Sequence, residues 1–286
     1  MGLDSGSKVV VADSGPSTRP VSVVALPGWK GADVGLRKIA ARTVQRGLRV
    51  VTLNLPGMGV SASTGRLDGL DELSGLVEQV LGKVNAPEPV VLVGHSFGAT
   101  IGMAVAGRQL VPLRGLVLVS PVVVRPSGRS GAGARAGNAC ASLFAALLAG
   151  APGAVADAVV SSTVLEDVGN AFLARHGLRG FLRIRAEAAP ERRLRADPRV
   201  AADHLRVAAR HGCLELAGDV RVPTWIVAGD RDQLSPTGDL RRLCDALPSA
   251  RMRLLPGAGH LAHQEDAEEL GDLVAGCVSD LASSRG

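Results

Sequence analysis

Residues 94–98, which read Gly-His-Ser-Phe-Gly, contain a serine that could act as a nucleophile. The apolar run 90–93 before them predicts a strand, and residues 97–109 predict a helix after them. A serine on a sharp strand-to-helix turn adopts a strained backbone, and the two flanking glycines allow the close approach that such a turn requires. Because the chain holds 36 glycines, the five-residue pattern alone could arise by chance, so the flanking strand and helix carry the prediction. Ser96 is the candidate nucleophile.

A serine hydroxyl is a poor nucleophile at neutral pH and needs a base within hydrogen-bonding reach, which an acid must orient in turn. Two downstream segments offer these groups. The apolar run 224–228 leads into Gly-Asp-Arg-Asp at 229–232, and the run 252–255 is followed by Pro-Gly-Ala-Gly-His at 256–260. His260 is therefore the candidate base, with Asp230 or Asp232 as the acid.

Five other histidines compete with His260 for the role of base. The side chain of His95 is expected to point away from the reacting face, because it precedes the serine on the turn. His263, only three residues beyond His260, is expected to support it. The remaining three are expected on the surface and are His176, His204 and His211.

Along most of the chain, short β-branched runs alternate with helical stretches, a pattern typical of a parallel sheet covered by helices on both faces. Strands are predicted at 21–26, 49–53, 90–93, 116–119, 224–228 and 252–255, with a further edge strand at 9–11. Helices are predicted at 34–46, 70–83, 97–109, 237–247 and 264–282. The alternation fails between about 126 and 214, where the sequence becomes rich in Ala and Arg after a Gly-rich stretch.

In order and spacing, these motifs resemble the α/β-hydrolase superfamily with a cap, over residues 20–125 and 215–286. The resemblance implies an α/β fold with a mostly parallel sheet, helices on both faces and an inserted helical cap. The expected division is a core in residues 1–125 and 215–286, with the cap in 126–214. The family's chain order is Ser, Asp, His.

The same resemblance selects Asp232 as the acid, because the family's acid ends a G-x-x-D turn, and leaves Asp230 to the turn or to a surface ion pair. It also implies an oxyanion hole formed by the backbone N–H groups of Trp29 and Phe97. Most relatives carry His-Gly where this chain has Pro27 and Gly28. A closing G-H-x-x-x-x-E motif ends at Glu265, and a glycine turn after Asn54 is expected to be structural.

The composition limits the classes of protein and of ligand that suit this chain. Hydrophobic residues make up 46% and charged residues 21%, so a large buried core is available. With 2% aromatic residues and no Tyr, few rings remain for stacking on a ligand, which favours an aliphatic or flexible acyl substrate. The net charge of +5 accompanies no nucleic-acid-binding signature, and no nucleic-acid partner is expected. Residues 125–210 hold 13 Arg and 7 acidic residues, which could attract an anionic substrate or form a solvated surface.

The sequence also bears on where the protein is located in the cell and on whether it binds a metal or a cofactor. The N-terminus does not look like a secretory signal, and the four cysteines are spaced for neither a metal nor a C-x-x-C motif, which favours free thiols in a reducing cytoplasm. The uncharged stretch 136–156 is long enough to span a bilayer, but its Ala, Gly and Pro content favours a pair of buried or half-buried helices and no membrane partner. No cofactor or metal is expected.

The function that these residues predict is cleavage of a small carboxylic ester or related acyl compound through an acyl-enzyme on Ser96. The same triad could instead perform C–C bond cleavage, elimination or cyclisation in a degradative or secondary-metabolite pathway. A third class within the fold only binds ligands or partners, although such members commonly lose a triad residue. The expected partner is a small-molecule acyl substrate.

Overall fold

The computed structural model describes residues 9–61, 69–84, 89–124, 151–190, 193–194 and 196–283. Within these ranges a seven-stranded sheet forms the centre of the molecule, with strand order β1-β3-β2-β4-β5-β6-β7. The strands are β1 (Val11–Ser14), β2 (Val21–Leu26), β3 (Arg49–Leu53), β4 (Val90–His95), β5 (Leu113–Val119), β6 (Thr224–Gly229) and β7 (Ala250–Leu255). All neighbouring pairs are parallel except β1 with β3.

Within the same described ranges, α-helices join and cover these strands. They are α1 (Arg37–Gln45), α2 (Leu70–Lys83), α3 (Phe97–Arg108), α4 (Gly153–Val160), α5 (Thr163–Leu173), α6 (Gly177–Ala188), α7 (Pro198–Arg210), α8 (Cys213–Leu216), α9 (Thr237–Ala246), α10 (Ala262–Glu265) and α11 (Ala267–Ser283). Short 3₁₀ helices occupy Asp33–Leu36 and Ala217–Asp219.

Helices cover both faces of the sheet, because successive strand residues point to opposite sides and both sides are apolar. In β2, Val24 and Leu26 belong to one buried cluster, whereas Val23 and Ala25 belong to the other. Helices α2 and α3 pack together over the first face. Helices α1 and α11 pack together over the second. The predicted α/β architecture is therefore confirmed.

The local predictions agree with the structure most closely in the sheet. Strands β2 and β3 and helix α2 have the predicted bounds, and the other core strands extend the predicted runs by one to three residues. The edge strand lies at Val11–Ser14 and not at 9–11, because its backbone pairs with β3 from Val11 onwards. The predicted helix at 264–282 is interrupted at Asp266, whose φ of −126° and ψ of 42° are not helical.

Helices α4 to α7 lie in the segment predicted to form a cap. No strand occurs in its described residues 151–190, 193–194 and 196–214. Much of the stretch 136–156 and one of the four cysteines, Cys140, fall outside the described residues. Of the described cysteines, Cys213 and Cys277 are buried free thiols and Cys244 is half-buried. Among the helices in the described ranges, none is both long enough and apolar enough to cross a bilayer.

Candidate active site

Ser96 occupies a strained turn between β4 and α3. Its φ of 50° and ψ of −113° lie in a region that residues with a side chain rarely adopt, and such strain persists only where the surroundings enforce it. The Ser96 N–H donates to the Val119 carbonyl oxygen at 2.9 Å, and the Ser96 carbonyl accepts from the Ala99 N–H at 3.0 Å. These two bonds fix the turn to strand β5 and to the first turn of α3.

The two glycines around the serine are required by close backbone contacts. A Cβ atom on Gly94 would lie 2.4 Å from the Gly98 carbonyl oxygen. A Cβ atom on Gly98 would lie 2.4 Å from the Leu26 carbonyl oxygen and 2.5 Å from that of Pro27. These distances are too short for any side chain, so the sharp turn and its approach to the loop after β2 both depend on glycine.

His260 lies on the loop after β7 with both ring nitrogens in contact with polar partners. Its Nε2 atom is 3.0 Å from the Ser96 Oγ atom, and its Nδ1 atom is 3.0 Å and 3.2 Å from the two carboxylate oxygens of Asp232. The predicted nucleophile, base and acid are thus brought together. If Nδ1 donates to the carboxylate, the Nε2 lone pair is left facing the serine hydroxyl.

The loop after β6 carries two carboxylates, and that of Asp232 is the buried one. The Asp232 side chain has no exposed area and also accepts from the N–H groups of Leu234 at 2.8 Å and Ser235 at 3.0 Å. Burial alone would raise the pKa of Asp232, but His260 and the two N–H groups outweigh it, so the net effect lowers the pKa. Asp230, by contrast, is exposed and accepts from the Gly257 N–H at 2.7 Å, as expected for a turn residue.

Two further imidazoles pack behind His260. The ring centroid of His95 lies 5.6 Å from that of His260 and 4.0 Å from that of His263. Burial, together with the nearby His260, lowers the pKa of His95 to about 3, and burial also holds the pKa of His263 well below its ordinary value. Both rings are therefore neutral at pH 7.

The loop carrying Trp29 lies directly against the serine. A Cβ atom on Gly28 would lie only 3.3 Å from the Ser96 Cβ atom, so a side chain at this position would crowd the nucleophile. Phe97 is the first residue of α3, so its N–H has no partner within the helix. The backbone N–H groups of Trp29 and Phe97 therefore remain the candidate oxyanion donors.

Asn54 and Glu265 have structural contacts. The Asn54 side-chain oxygen accepts from the Asp33 N–H at 3.1 Å, in agreement with the structural role expected of its turn. Glu265 is buried, and its carboxylate accepts from the N–H groups of Arg175 at 3.0 Å and His176 at 2.6 Å. The closing motif thus ties the loop between α5 and α6 to the segment that carries His260.

His204 contradicts its predicted surface position. It is completely buried, whereas His176 is exposed and His211 is half-buried. The reason is its place on α7, where Val200, Ala201 and Val207 share its buried face at helical spacing. That spacing was a signal in the sequence that would have placed His204 inside.

Comparisons with known proteins agree with this geometry. A family model described as "Alpha/beta hydrolase family" matches residues 23–273. The chain is 28% identical over 222 residues to the dihydrolipoyllysine-residue acetyltransferase component of the acetoin cleaving system of Pseudomonas putida. That match covers 78% of this chain but 54% of the relative, so the chain spans about half the length of this curated protein.

Two solved structures share the fold at low identity. A hydrolase from Pseudomonas aeruginosa PA01 is similar with a TM-score of 0.76 and 18% identity, over 99% of this chain and 97% of that one. A thermophilic esterase from Thermogutta terrifontis is similar with a TM-score of 0.70 and 18% identity, over 98% and 97% of the two chains.

Proposed function

The chain belongs to the alpha/beta hydrolase family, and from this premise we propose that it is a serine hydrolase that cleaves a small carboxylic ester or related acyl compound through an acyl-enzyme. The observation that carries the proposal is the continuous contact from Ser96 Oγ to His260 Nε2 and from His260 Nδ1 to the Asp232 carboxylate. A serine hydroxyl beside such a pair can lose its proton as it attacks.

In the proposed first half-reaction, His260 Nε2 takes the hydroxyl proton while Ser96 Oγ forms a bond to the substrate carbonyl carbon. The carbonyl oxygen gains negative charge, which the N–H groups of Trp29 and Phe97 stabilise. The bond to the leaving alcohol then breaks, and the alcohol leaves with the proton from His260. In the second half-reaction water takes the place of the alcohol, and the acid product and free Ser96 result.

Each group has an expected contribution to the rate. A positioned general base contributes roughly 10² to 10⁴-fold, and one oxyanion donor roughly 10² to 10³-fold. Asp232 acts through the ring of His260, by holding Nδ1–H towards itself and by stabilising the imidazolium that forms. Its low pKa keeps it ionised throughout the ordinary pH range, as this role requires.

The relatives support acyl chemistry without fixing the substrate. One of the two similar structures is of an esterase, and the curated relative is named as an acetyltransferase component. The predicted cap, through α7, contacts the side chains of Trp29 and Phe97, the two residues that carry the proposed oxyanion donors. We therefore place the choice of acyl group in that segment.

The proposal is tested with p-nitrophenyl esters of acetate, butyrate and octanoate, measured with the wild-type chain and with Ser96→Ala. We expect turnover of at least one ester by the wild type and a loss of at least about 10⁴-fold in kcat for Ser96→Ala. Unchanged far-UV circular dichroism of the variant shows that the fold is retained. Near-wild-type activity in Ser96→Ala would refute the proposal.

A second measurement separates hydrolysis from elimination or cyclisation, because only hydrolysis adds an oxygen atom from water to the product. Turnover of the preferred ester in H₂¹⁸O should place one ¹⁸O atom in the carboxylic acid product, because water resolves the acyl-enzyme. A product free of ¹⁸O would show that the acyl group is transferred elsewhere.

A further inference from the structure

Helix α7 contacts the side chains of both residues whose N–H groups are the candidate oxyanion donors. The indole Nε1–H of Trp29 donates to the Ala201 carbonyl oxygen at 2.8 Å. One turn further along, the ring of His204 lies against the ring of Phe97, with centroids 5.7 Å apart and planes inclined by 46°. The start of the helix is also fixed, because the Asp197 N–H donates to the Gly57 carbonyl oxygen at 2.8 Å. Helix α7 is thus held against the side chains of Trp29 and Phe97.

Of the two polar residues that are buried on this helix, Asp203 forms an ion pair within the described part of the chain and His204 does not. Its side chain has no solvent exposure, and neither Nδ1 nor Nε2 has a hydrogen-bond partner among the described residues. Buried polar groups in proteins are nearly always paired, and an imidazole with two unpaired nitrogens destabilises the fold. Its buried neighbours Val200, Ala201 and Val207 show that an apolar residue would suit this face. A partner from outside the chain would account for the histidine.

The chemistry of the ring defines that partner. Burial lowers the pKa of His204 to about 4, so the ring is neutral at pH 7 and offers one N–H donor and one nitrogen acceptor. Beside a neutral ring, a buried carboxylate or phosphate would keep its charge unpaired or would need an extra proton, whereas an uncharged oxygen needs neither, so we take the partner to be uncharged. If the N–H faces the partner, an uncharged oxygen such as that of a hydroxyl or a ketone can accept from it; if the unprotonated nitrogen faces the partner, a hydroxyl can donate to it.

We propose that His204 is a specificity-determining residue that hydrogen-bonds to a hydroxyl or keto oxygen on the acyl group of the substrate. The inference rests on the proposed serine hydrolase function and names its substrate class as oxygenated acyl compounds. His204 contacts the ring of Phe97, the residue directly after Ser96, and on this basis we place the oxygen close to the scissile carbonyl. A substituent at C2 or C3 of the acyl chain satisfies that requirement.

The test compares p-nitrophenyl 2-hydroxybutyrate and 3-hydroxybutyrate with plain p-nitrophenyl butyrate. The quantity measured is the ratio of kcat/KM for each hydroxy ester to that for butyrate. The wild-type ratio should be at least about 10 for one hydroxy ester, because a site built around a hydrogen bond rejects the analogue that lacks it. His204→Phe keeps an aromatic ring beside Phe97 but removes both polar atoms, and it should lower the ratio about 10- to 100-fold.

Three variants control for a merely structural effect. His204→Asn and His204→Gln each retain a donor and an acceptor, and at least one should recover part of the lost ratio. Val207→Ala loosens the same buried face without touching a polar group and should leave the ratio unchanged. If His204→Phe does not fold, His204→Leu takes its place as the apolar variant.

The outcomes separate the inference from the proposed function. A wild-type ratio near 1 for both hydroxy esters, or an equal ratio in His204→Phe and wild type, overturns the inference. The inference is also overturned if Val207→Ala lowers the ratio as much as His204→Phe does. In each of these cases Ser96-dependent hydrolysis of plain butyrate leaves the serine hydrolase proposal intact. No Ser96-dependent turnover of any ester refutes the function itself.

Discussion

The Nε2 atom of His260 lies 3.0 Å from the Oγ atom of Ser96, although 164 positions separate the two residues in the chain. Both follow parallel strands, β7 and β4, and the carboxyl ends of such strands meet at one edge of the sheet. Asp232 follows β6 and completes the contact from the third strand end. The sheet therefore positions all three groups, and the loops provide the final orientation.

The backbone strain at Ser96 predicts that glycine at this position gives a more stable fold than alanine, although both variants are inactive. Ser96→Gly should unfold at a temperature about 2 °C or more above that of Ser96→Ala, because glycine adopts a φ of 50° without the cost of about 1 kcal/mol that a Cβ atom imposes. Thermal unfolding of the two inactive variants measures the difference. A Ser96→Gly protein less stable than Ser96→Ala would show that the turn is not strained.

The two carboxylates of the loop after β6 predict contrasting kinetic effects. Asp232→Asn should lower kcat by roughly 10⁴-fold, because the amide no longer fixes the Nδ1–H tautomer of His260. Asp230→Asn is the matched control and should stay within about threefold of wild type, since its exposed oxygen only accepts from the Gly257 N–H. Steady-state kinetics with the preferred ester measure kcat for both variants and the wild type. Equal losses in the two variants would contradict the assignment of the acid.

Two glycines of helix α3 predict opposite changes in stability. Gly98→Ala should destabilise the fold by about 1–3 kcal/mol, because the new Cβ atom meets two backbone oxygens of the loop after β2. It should also lower activity by moving the loop that carries Trp29. Gly102→Ala meets only the Leu92 side chain, at 3.6 Å and 3.8 Å, and should stabilise the helix by about 0.5–1 kcal/mol. Urea unfolding measures both, and a stabilised Gly98→Ala would contradict the close contact.

The buried neutral histidines predict a loss of stability in acid. Burial lowers the pKa of His95 to about 3 and that of His204 to about 4, whereas the ordinary value is 6.5. Between pH 6.5 and about 4 the unfolded chain therefore binds protons that the folded chain does not, so the stability present above pH 6.5 declines as the pH falls.

His204→Phe removes one of these histidines, so a comparison with the wild type measures how much His204 contributes to the pH dependence of stability. As the pH falls from 6 to 4.5, the free energy of unfolding should decrease less steeply in this variant than in the wild type. The two slopes should differ by up to about 1.4 kcal/mol per pH unit. Urea unfolding at four pH values within that range provides the measurement. Parallel curves for the variant and the wild type would show that His204 is protonated in the folded protein.

The core of the fold and the convergence of the three side chains were accessible from the sequence because both depend on local signals. Apolar runs mark the strands, and the glycines around Ser96 and before His260 mark the turns at their ends. Parallel strands then bring these turns to one edge without further information.

What the sequence did not predict depends on contacts between distant segments. The ring contact between His204 and Phe97 joins two distant helices, although the helical spacing along α7 already indicates that His204 is buried. The interruption at Asp266 follows Glu265, whose carboxylate accepts from two backbone N–H groups of the α5–α6 loop. The packing of His95 against His263 likewise depends on the loop after β7. None of these partners can be inferred from neighbours in the chain.

The central claim is that the hydroxyl of Ser96 is a reactive nucleophile, and labelling with a fluorophosphonate followed by intact-protein and peptide mass spectrometry tests it most directly. We predict a single adduct, located on the peptide that contains Ser96, with no adduct in Ser96→Ala and slower labelling in Asp232→Asn. An unlabelled wild-type protein, or equal labelling of Ser96→Ala at another residue, would contradict the claim.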